Sequence, residues 1–412
     1  MIKFVKYHPG LNALRVLQMT MLLATGLLYS IQGNGQENKS RKVPVIVITD
    51  LYHPYQDPGD NLDLVMGFAL PEIDLKAIIL DITDAFRKKT ADHPTLWKDP
   101  RGPREAGIIP VMQLNYIFDR QVPFALGPLS MMSSAEDQMR GIPAFEEAGI
   151  NLFLNTLRQS KVPVEILSFG SARILAVAFN REPTLLRKKI AKIHLSAGTA
   201  AADFQHGKDA GANAIPGGEW NVALDVFAFN RILRSGLPVA LYPCAGIDGG
   251  FVKDINNTYW QLPTVDFIKR MDPRLQRYID FALSKTVQAD FLKAMDLSSP
   301  VVIDTARYPQ PFHFWETALW MNVSRRKLVQ REEGYAIIPQ QQIKTSDKLM
   351  PDELLPCEID LREDGRFTFR KSAKATSLSI YYRPDPVLNE KALQQAYPIL
   401  MTELSIKKNN VK

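Results

Sequence analysis

The chain has 412 residues, with 50 Lys and Arg against 44 Asp and Glu and a formal net charge of +6. Hydrophobic residues at 46% and charged residues at 23% are ordinary globular values, which excludes global disorder and fibrous structure, and so mild a surplus gives no basis for nucleic-acid binding. Two cysteines and six histidines exclude a disulfide scaffold and a multi-cysteine metal cluster, leaving carboxylates and other oxygen donors as the chemical tools.

Residues 1–42 differ from the rest. Lys3, Lys6 and Arg15 form a basic leader, and Val16 to Tyr29 is an apolar run interrupted only by Gln18, Thr20 and Thr25. The run falls short of the roughly 20 apolar residues that a spanning helix needs. The pattern predicts a signal peptide at 1–33, a mobile linker at 34–42 and export to the periplasm or the extracellular space, with no stable membrane span after processing. An uncleaved anchor is the alternative. Cys244 and Cys357 would remain in the mature chain, able to pair in an oxidising compartment or to serve as small buried apolar residues.

From Val43 strand-like and helix-like segments alternate. Val45 to Ile48 is a continuous β-branched run, as a strand buried on both faces requires. Leu62–Leu70 has helical spacing, and Leu75–Ile82 returns to strand character. Further strands are expected at Ile108–Met112, Val164–Leu167, Ala191–Leu195 and Val239–Tyr242, with helices at Ile150–Gln159, Ala172–Asn180 and Asp225–Arg234. Arg87–Gly107 reads as a long polar loop and 250–310 as a mainly helical cap over the sheet edge. The order predicts an α/β fold: a mostly parallel central sheet with helices on both faces, over 43–356. A small β/α extension at 357–412 follows, with RFTFR and LSIYYRP as a hairpin and a final helix around 389–404. In such sheets ligands bind at the strands' carboxyl ends.

The strongest chemical signal directly follows the first strand, where Asp50, Asp57, Asp60 and Asp63 fall within fourteen residues. Like charges packed this closely repel unless some are protonated or a cation joins them. A hard cation such as Ca²⁺, which takes about six to eight oxygen ligands, removes that penalty. The same residues equally suit a solvated Asp-Pro-Gly-Asp turn followed by an acidic first helical turn.

This loop resembles the N-terminal aspartate signature of the nucleoside N-ribohydrolases, the inosine–uridine-preferring nucleoside hydrolase family. Four further segments are similar in the family's order: Ile166-Leu-Ser-Phe169-Gly170-Ser-Ala-Arg, Ile190 to Gly198, Gly218-Glu219-Trp220-Asn221-Val-Ala-Leu-Asp225, and Pro311-Phe-His313-Phe-Trp-Glu316-Thr-Ala-Leu. The resemblance extends over roughly residues 43–330 and marks the chain as a divergent, exported member.

It implies a metal-dependent hydrolase of the N-glycosidic bond of ribonucleosides, yielding free base and ribose, with Ca²⁺ as cofactor and a small-molecule substrate. Asp50 or Asp57, Asp63, the carbonyl of Phe169 and Glu316 correspond to metal ligands. The family's base stands immediately before the ligand at the helix start, where this chain has Leu62, so Asp60 is its substitute. Asp84, Glu219, Trp220 and Asn221 correspond to sugar contacts. His313, three residues before Glu316 rather than beside it, is the candidate leaving-group acid, with His53 and His206 as stand-ins. Taken locally, Asp84 also suits a cap, Trp220 a core position and Asp225 a helix N-cap. The family is commonly oligomeric, which implies a homo-oligomer. The alternative, suited by the missing adjacent aspartate, the shifted histidine and export, is a catalytically weak relative that binds sugars or nucleosides, or a hydrolase of another ribosyl or glycosidic compound.

Overall fold

The computed structural model describes residues 42–55, 57–86, 105–201, 219–284, 289–296, 302–308 and 310–404. The expected signal peptide, most of the polar loop at 87–107 and His206 lie outside the described residues. Among the described residues no helix is long and apolar enough to cross a membrane.

A ten-stranded sheet organises Lys42–Lys412. Its strands are β1 (Val43–Thr49), β2 (Ile73–Leu80), β3 (Phe124–Leu126), β4 (Val164–Phe169), β5 (Ile190–Ser196), β6 (Ala200–Ala201) and β7 (Val239–Tyr242). Two short strands, β8 (Trp260–Leu262) and β9 (Phe312–Phe314), pair with each other outside it, and β10 (Arg326–Arg331), β11 (Gly334–Pro339) and β12 (Lys348–Leu349) form a small separate sheet. The main sheet resumes with β13 (Glu353–Leu361), β14 (Phe367–Lys371) and β15 (Leu378–Tyr382), in the order β3-β2-β1-β4-β5-β7-β15-β13-β14-β6. From β3 to β15 every neighbouring pair is parallel; only the pairs made by β13 are antiparallel.

Side chains of the central strands alternate between two cores, which requires helices on both faces. Val45, Val47, Ile78, Leu80 and Leu167 face one core, built with α1 (Pro58–Ala69), α2 (Ile108–Ile117), α8 (Pro273–Leu283) and α10 (Pro386–Glu403). Ile46, Ile48, Ala77, Ile79 and Ile166 face the other, with α3 (Ala144–Gln159), α4 (Arg173–Arg181), α5 (Pro183–Lys189) and α7 (Val226–Leu233). A strand covered on both sides carries no polar face, so continuous β-branched runs are its natural sequence. The remaining helices, α6 (Trp220–Leu224) and α9 (Thr317–Ser324), start at the carboxyl rim.

Three expectations change. Ile108–Met112 opens helix α2 rather than a strand: a short apolar run fits either state, and Pro110 sits in a first turn where its missing N–H costs nothing. Among the described residues of 250–310 there is one α-helix, α8, with short 3-10 turns and β8; Leu275 and Ile279 of α8 belong to the same core as Leu62. The C-terminal strands do not form one hairpin. RFTFR and LSIYY each pair with β13, on opposite edges, and β15 docks in parallel on β7, so this segment continues the main sheet. Cys244 and Cys357 are both buried free thiols.

Candidate active site

The carboxyl rim follows from the parallel order: β1 leads into Asp50, β2 into Asp81, β4 ends at Phe169, β5 at Ser196, and β7 leads into Cys244. Helix α1 begins beside it. Asp57 is its N-cap, accepting from the Gly59 amide at 2.7 Å, and Pro58 takes the first helical position. One turn on, Asp63 is buried on the helix while Asp60 is half-buried in the first turn. Gly59 lets this terminus approach closely, since a Cβ there would lie 3.1 Å from the His313 carbonyl oxygen.

Glu316 arrives from the far end of the sequence as N-cap residue of α9. Its Oε1 accepts from Ser196 Oγ at 3.0 Å and its Oε2 from the Trp315 amide at 3.2 Å. Asp50 Oδ2 accepts the indole N–H of Trp220 at 2.9 Å. Asp63 lies beside Glu316 and the Trp320 indole but completes a hydrogen bond with neither, and both of its oxygens are buried without a partner. Gly170 closes the gap at the end of β4; a Cβ there would come within 3.3 Å of the Asp50 amide and 3.6 Å of the Asp81 carbonyl.

Electrostatics confirms the convergence. Burial raises the Asp50 carboxyl to about 7, against the Trp220 bond and with help from Asp81 and Asp57. Burial likewise lifts Asp57 to about 6 and Glu316 to about 8, the latter with repulsion from Asp57 and Asp50. Asp60 and Asp63 are held well above the usual carboxylate range by burial first and then by their acidic neighbours. The charges that weigh most on these groups are other carboxylates. Asp50, Asp57, Asp60, Asp63 and Glu316, though scattered through the sequence, therefore share one site.

Among the described residues, no three His, Cys, Asp or Glu side chains stand ready-arranged around a metal ion. The donor set nevertheless fits one chemically: oxygen ligands only, and a buried carboxylate whose two oxygens lack partners. The Phe169 backbone stands at the end of β4, paired in register with Thr49, one residue from Asp50.

The sugar-side candidates are placed differently from one another. Glu219 caps α6, accepting from the amides of Gly198 at 2.8 Å, Asn221 at 3.0 Å and Val222 at 3.2 Å. Asn221 donates from its side chain to the Ser196 carbonyl at 2.7 Å. Trp220 is half-buried on the carboxylates. Asp84 lies exposed on a 3-10 turn, and it is Asp81 that joins the acidic group. Asp81 accepts from Ser171 Oγ at 2.6 Å and stands 3.7 Å from the fully buried Arg173, whose Nε meets Asp225 at 2.9 Å. Asp225 is the N-cap of α7. Sequence reasoning missed Asp81, Ser171 and Arg173. The one signal was an acid directly after an eight-residue strand, where a solvated role is excluded.

His313 lies on β9, half-buried, and burial lowers its imidazole below the usual range. Its Nδ1 meets the Tyr259 hydroxyl at 2.9 Å, and its ring stacks on Tyr259 with centroids 5.8 Å apart. Phe251 stands edge-on to His313 at 5.0 Å and to Trp315 at 5.5 Å. Phe251 is 58% exposed, whereas Tyr259 is buried. Phe251, Tyr259, His313 and Trp315 thus form an aromatic wall whose chain continues straight into Glu316. His53 is buried instead against Phe281, with ring centroids 5.9 Å apart.

Carboxylates thus gather at the carboxyl rim of a mostly parallel α/β sheet, with aromatic rings beside them. Over part of its length the chain is similar to ribonucleoside hydrolases. It is 31% identical over 199 residues to the pyrimidine-specific ribonucleoside hydrolases RihA of Salmonella enteritidis and of Salmonella typhi, an alignment that takes in 47% of this chain. The chain spans 58% of the length of those relatives. Among solved structures, a purine-preferring ribonucleoside hydrolase from Gardnerella vaginalis superimposes with a TM-score of 0.49 at 14% identity, covering 88% of this chain and 100% of that one. No family model matches the chain.

Proposed function

We propose that this protein cleaves the N-glycosidic bond of ribonucleosides with water, using Ca²⁺ held by Asp63, Asp50 or Asp57, Glu316 and the Phe169 carbonyl. The observation that carries the reading is Asp63, with both oxygens unpartnered inside a group of mutually repelling carboxylates. When bound, the cation would orient a water and the vicinal ribose hydroxyls and lower that water's pKa. The chain supplies the rest. Asp60, at the open edge of the group, is the base that takes the proton of the attacking water. The ring of carboxylates stabilises positive charge developing on the sugar in an oxocarbenium-like transition state. Trp220 bounds the sugar side, and Phe251 and Trp315, backed by the buried Tyr259, offer ring faces and edges to the base. In this reading His313, whose Nδ1 meets the Tyr259 hydroxyl, protonates the departing base.

Because the relatives are named as pyrimidine-specific, uridine and cytidine are the first substrates to assay. Release of uracil from uridine should require Ca²⁺, stop on chelation and vanish in Asp63→Ala. Turnover that is indifferent to chelation would refute the reading. A second reading rests on Leu62, which is fully buried in the apolar core and leaves no acid immediately before Asp63. A chain that binds ribosyl compounds without turning them over would show thermal stabilisation by ribose or nucleoside and no free base. Export stays part of the proposal, supported by the basic leader and apolar run ahead of Val43. N-terminal sequencing of the protein from a periplasmic fraction tests it.

A further inference from the structure

The segment carrying Phe251 and Tyr259, 250–261, is braced locally by hydrogen bonds among Val252, Asp254, Asn256 and Asn257 and at its end by the pairing of β8 with β9. A second set of ties reaches it from the C-terminal part of the chain. Arg383, fully buried just after β15, donates from Nη2 to the Tyr259 carbonyl at 2.7 Å and to Asn257 Oδ1 at 2.9 Å, and from Nε to the Asp254 carbonyl at 3.2 Å. Its backbone amide donates to the Ile255 carbonyl at 2.8 Å, and its Nη1 to Asn389 Oδ1 on α10 at 3.0 Å. Two further ties come from α10: Glu390 accepts from Lys253 Nζ at 2.8 Å and from the Gln261 amide at 3.3 Å, and Gln394 donates to the Gln261 carbonyl at 2.9 Å. Tyr259, at the centre of this lattice, is the residue whose hydroxyl holds His313 Nδ1. The hydrogen bonds to Asp50, Asp57 and Glu316 come from Trp220, Gly59, Ser196 and the Trp315 amide and not from Arg383, Glu390 or Gln394, so Trp315 is where the wall meets the carboxylates.

We infer that Arg383, backed by Glu390, is a positioning residue for the leaving base: the C-terminal segment sets the Phe251–Tyr259–His313 wall independently of the sugar- and cation-binding side. The inference rests on the proposed nucleoside hydrolysis and assigns its two halves to different parts of the chain. A planar guanidinium donating to two carbonyls and two side-chain amides fixes loop geometry in a way that an ammonium with three movable donors does not reproduce.

The test compares the full-length protein with Arg383→Lys and, as a milder second variant that leaves the arginine in place, Glu390→Gln. Three readouts are taken: nucleoside kcat/KM, inhibition by free ribose, and amide hydrogen exchange over 250–261. Arg383→Lys should lower nucleoside kcat/KM by about tenfold or more while the ribose inhibition constant stays within about twofold, as expected when only one subsite is disordered. Exchange across 250–261 should rise in both variants, more in Arg383→Lys. Equal losses for ribose and nucleoside would mean a general structural role and overturn the inference, as would unchanged protection of 250–261. A wild-type protein that releases no base would refute the proposed hydrolysis instead, and the exchange readout would still decide what Arg383 holds.

Discussion

Trp220 Nε1 donates to Asp50 Oδ2 at 2.9 Å, so an aromatic residue placed by its neighbours' sequence as a sugar contact also orients a carboxylate 170 positions away. That bond is the main influence favouring an ionised Asp50 against burial and the charges of Asp81 and Asp57. Replacing Trp220 with Phe keeps the ring and removes the donor. Calcium affinity, measured by titration calorimetry, should fall by about 10–100-fold, the usual cost of losing a partner that orients a metal ligand. An unchanged affinity would show that Asp50 is not a ligand.

Asp63 should reveal a conflict between stability and activity. Asp63→Asn removes a buried carboxyl that the metal-free fold must either protonate or leave charged among other acids, so the chelated protein should melt higher than wild type at neutral pH. Base release should drop by about a hundredfold or more. A melting point that falls with the activity would indicate that Asp63 supports the fold instead.

The pH dependence of the chelated protein follows from the raised carboxyls. Asp50, Asp57 and Glu316 titrate near 7, 6 and 8 when folded, against ordinary values of 3.8, 3.8 and 4.5. Between those limits the folded protein binds more protons than the unfolded chain. This contribution to stability is therefore complete below the ordinary values and is lost as pH rises through the folded ones. Melting curves in chelator should show higher stability at pH 5 than at pH 8 from this source. Added Ca²⁺ should stabilise most at pH 8, where the ligands no longer need to shed protons. Calcium stabilisation that is flat with pH would contradict the shared site.

Arg173 joins Asp81 and Asp225 where neither carboxylate meets solvent. Arg173→Met leaves two buried acids without their cation, and the cost should be about 3–5 kcal/mol in denaturant unfolding. A loss under about 1 kcal/mol would mean that Ser171 and the Met132 amide suffice to hold these acids.

The parallel half of the fold was legible because its strands carry no polar face. Val45–Ile48, Val164–Leu167 and Val239–Tyr242 announce burial on both sides, and the acids that follow them then have to lie on one edge. Ile108–Met112 was misread because five apolar residues do not distinguish a strand from a first helical turn, and the paired neighbour that decides is Phe124–Leu126, only three residues long. The site divides the same way. Asp50, Asp57, Asp60 and Asp63 stand out as carboxylates between the first strand and its helix, and Glu316 is marked by the family resemblance alone. Asp81, three residues before the chosen Asp84, Arg173 and Arg383 acquire meaning only from partners dozens to hundreds of positions distant. No local pattern encodes a guanidinium that closes a loop from another part of the chain.

The parallel docking of β15 on β7 has a consequence for how the molecule comes into being. Until Leu378–Tyr382 has been synthesised, β7 presents an unsealed hydrogen-bonding border, a template to which any extended peptide can add. The nascent protein therefore carries an adhesive flank from the synthesis of Tyr242 until that of Leu378. Its dependence on chaperone protection should end abruptly when that late strand arrives.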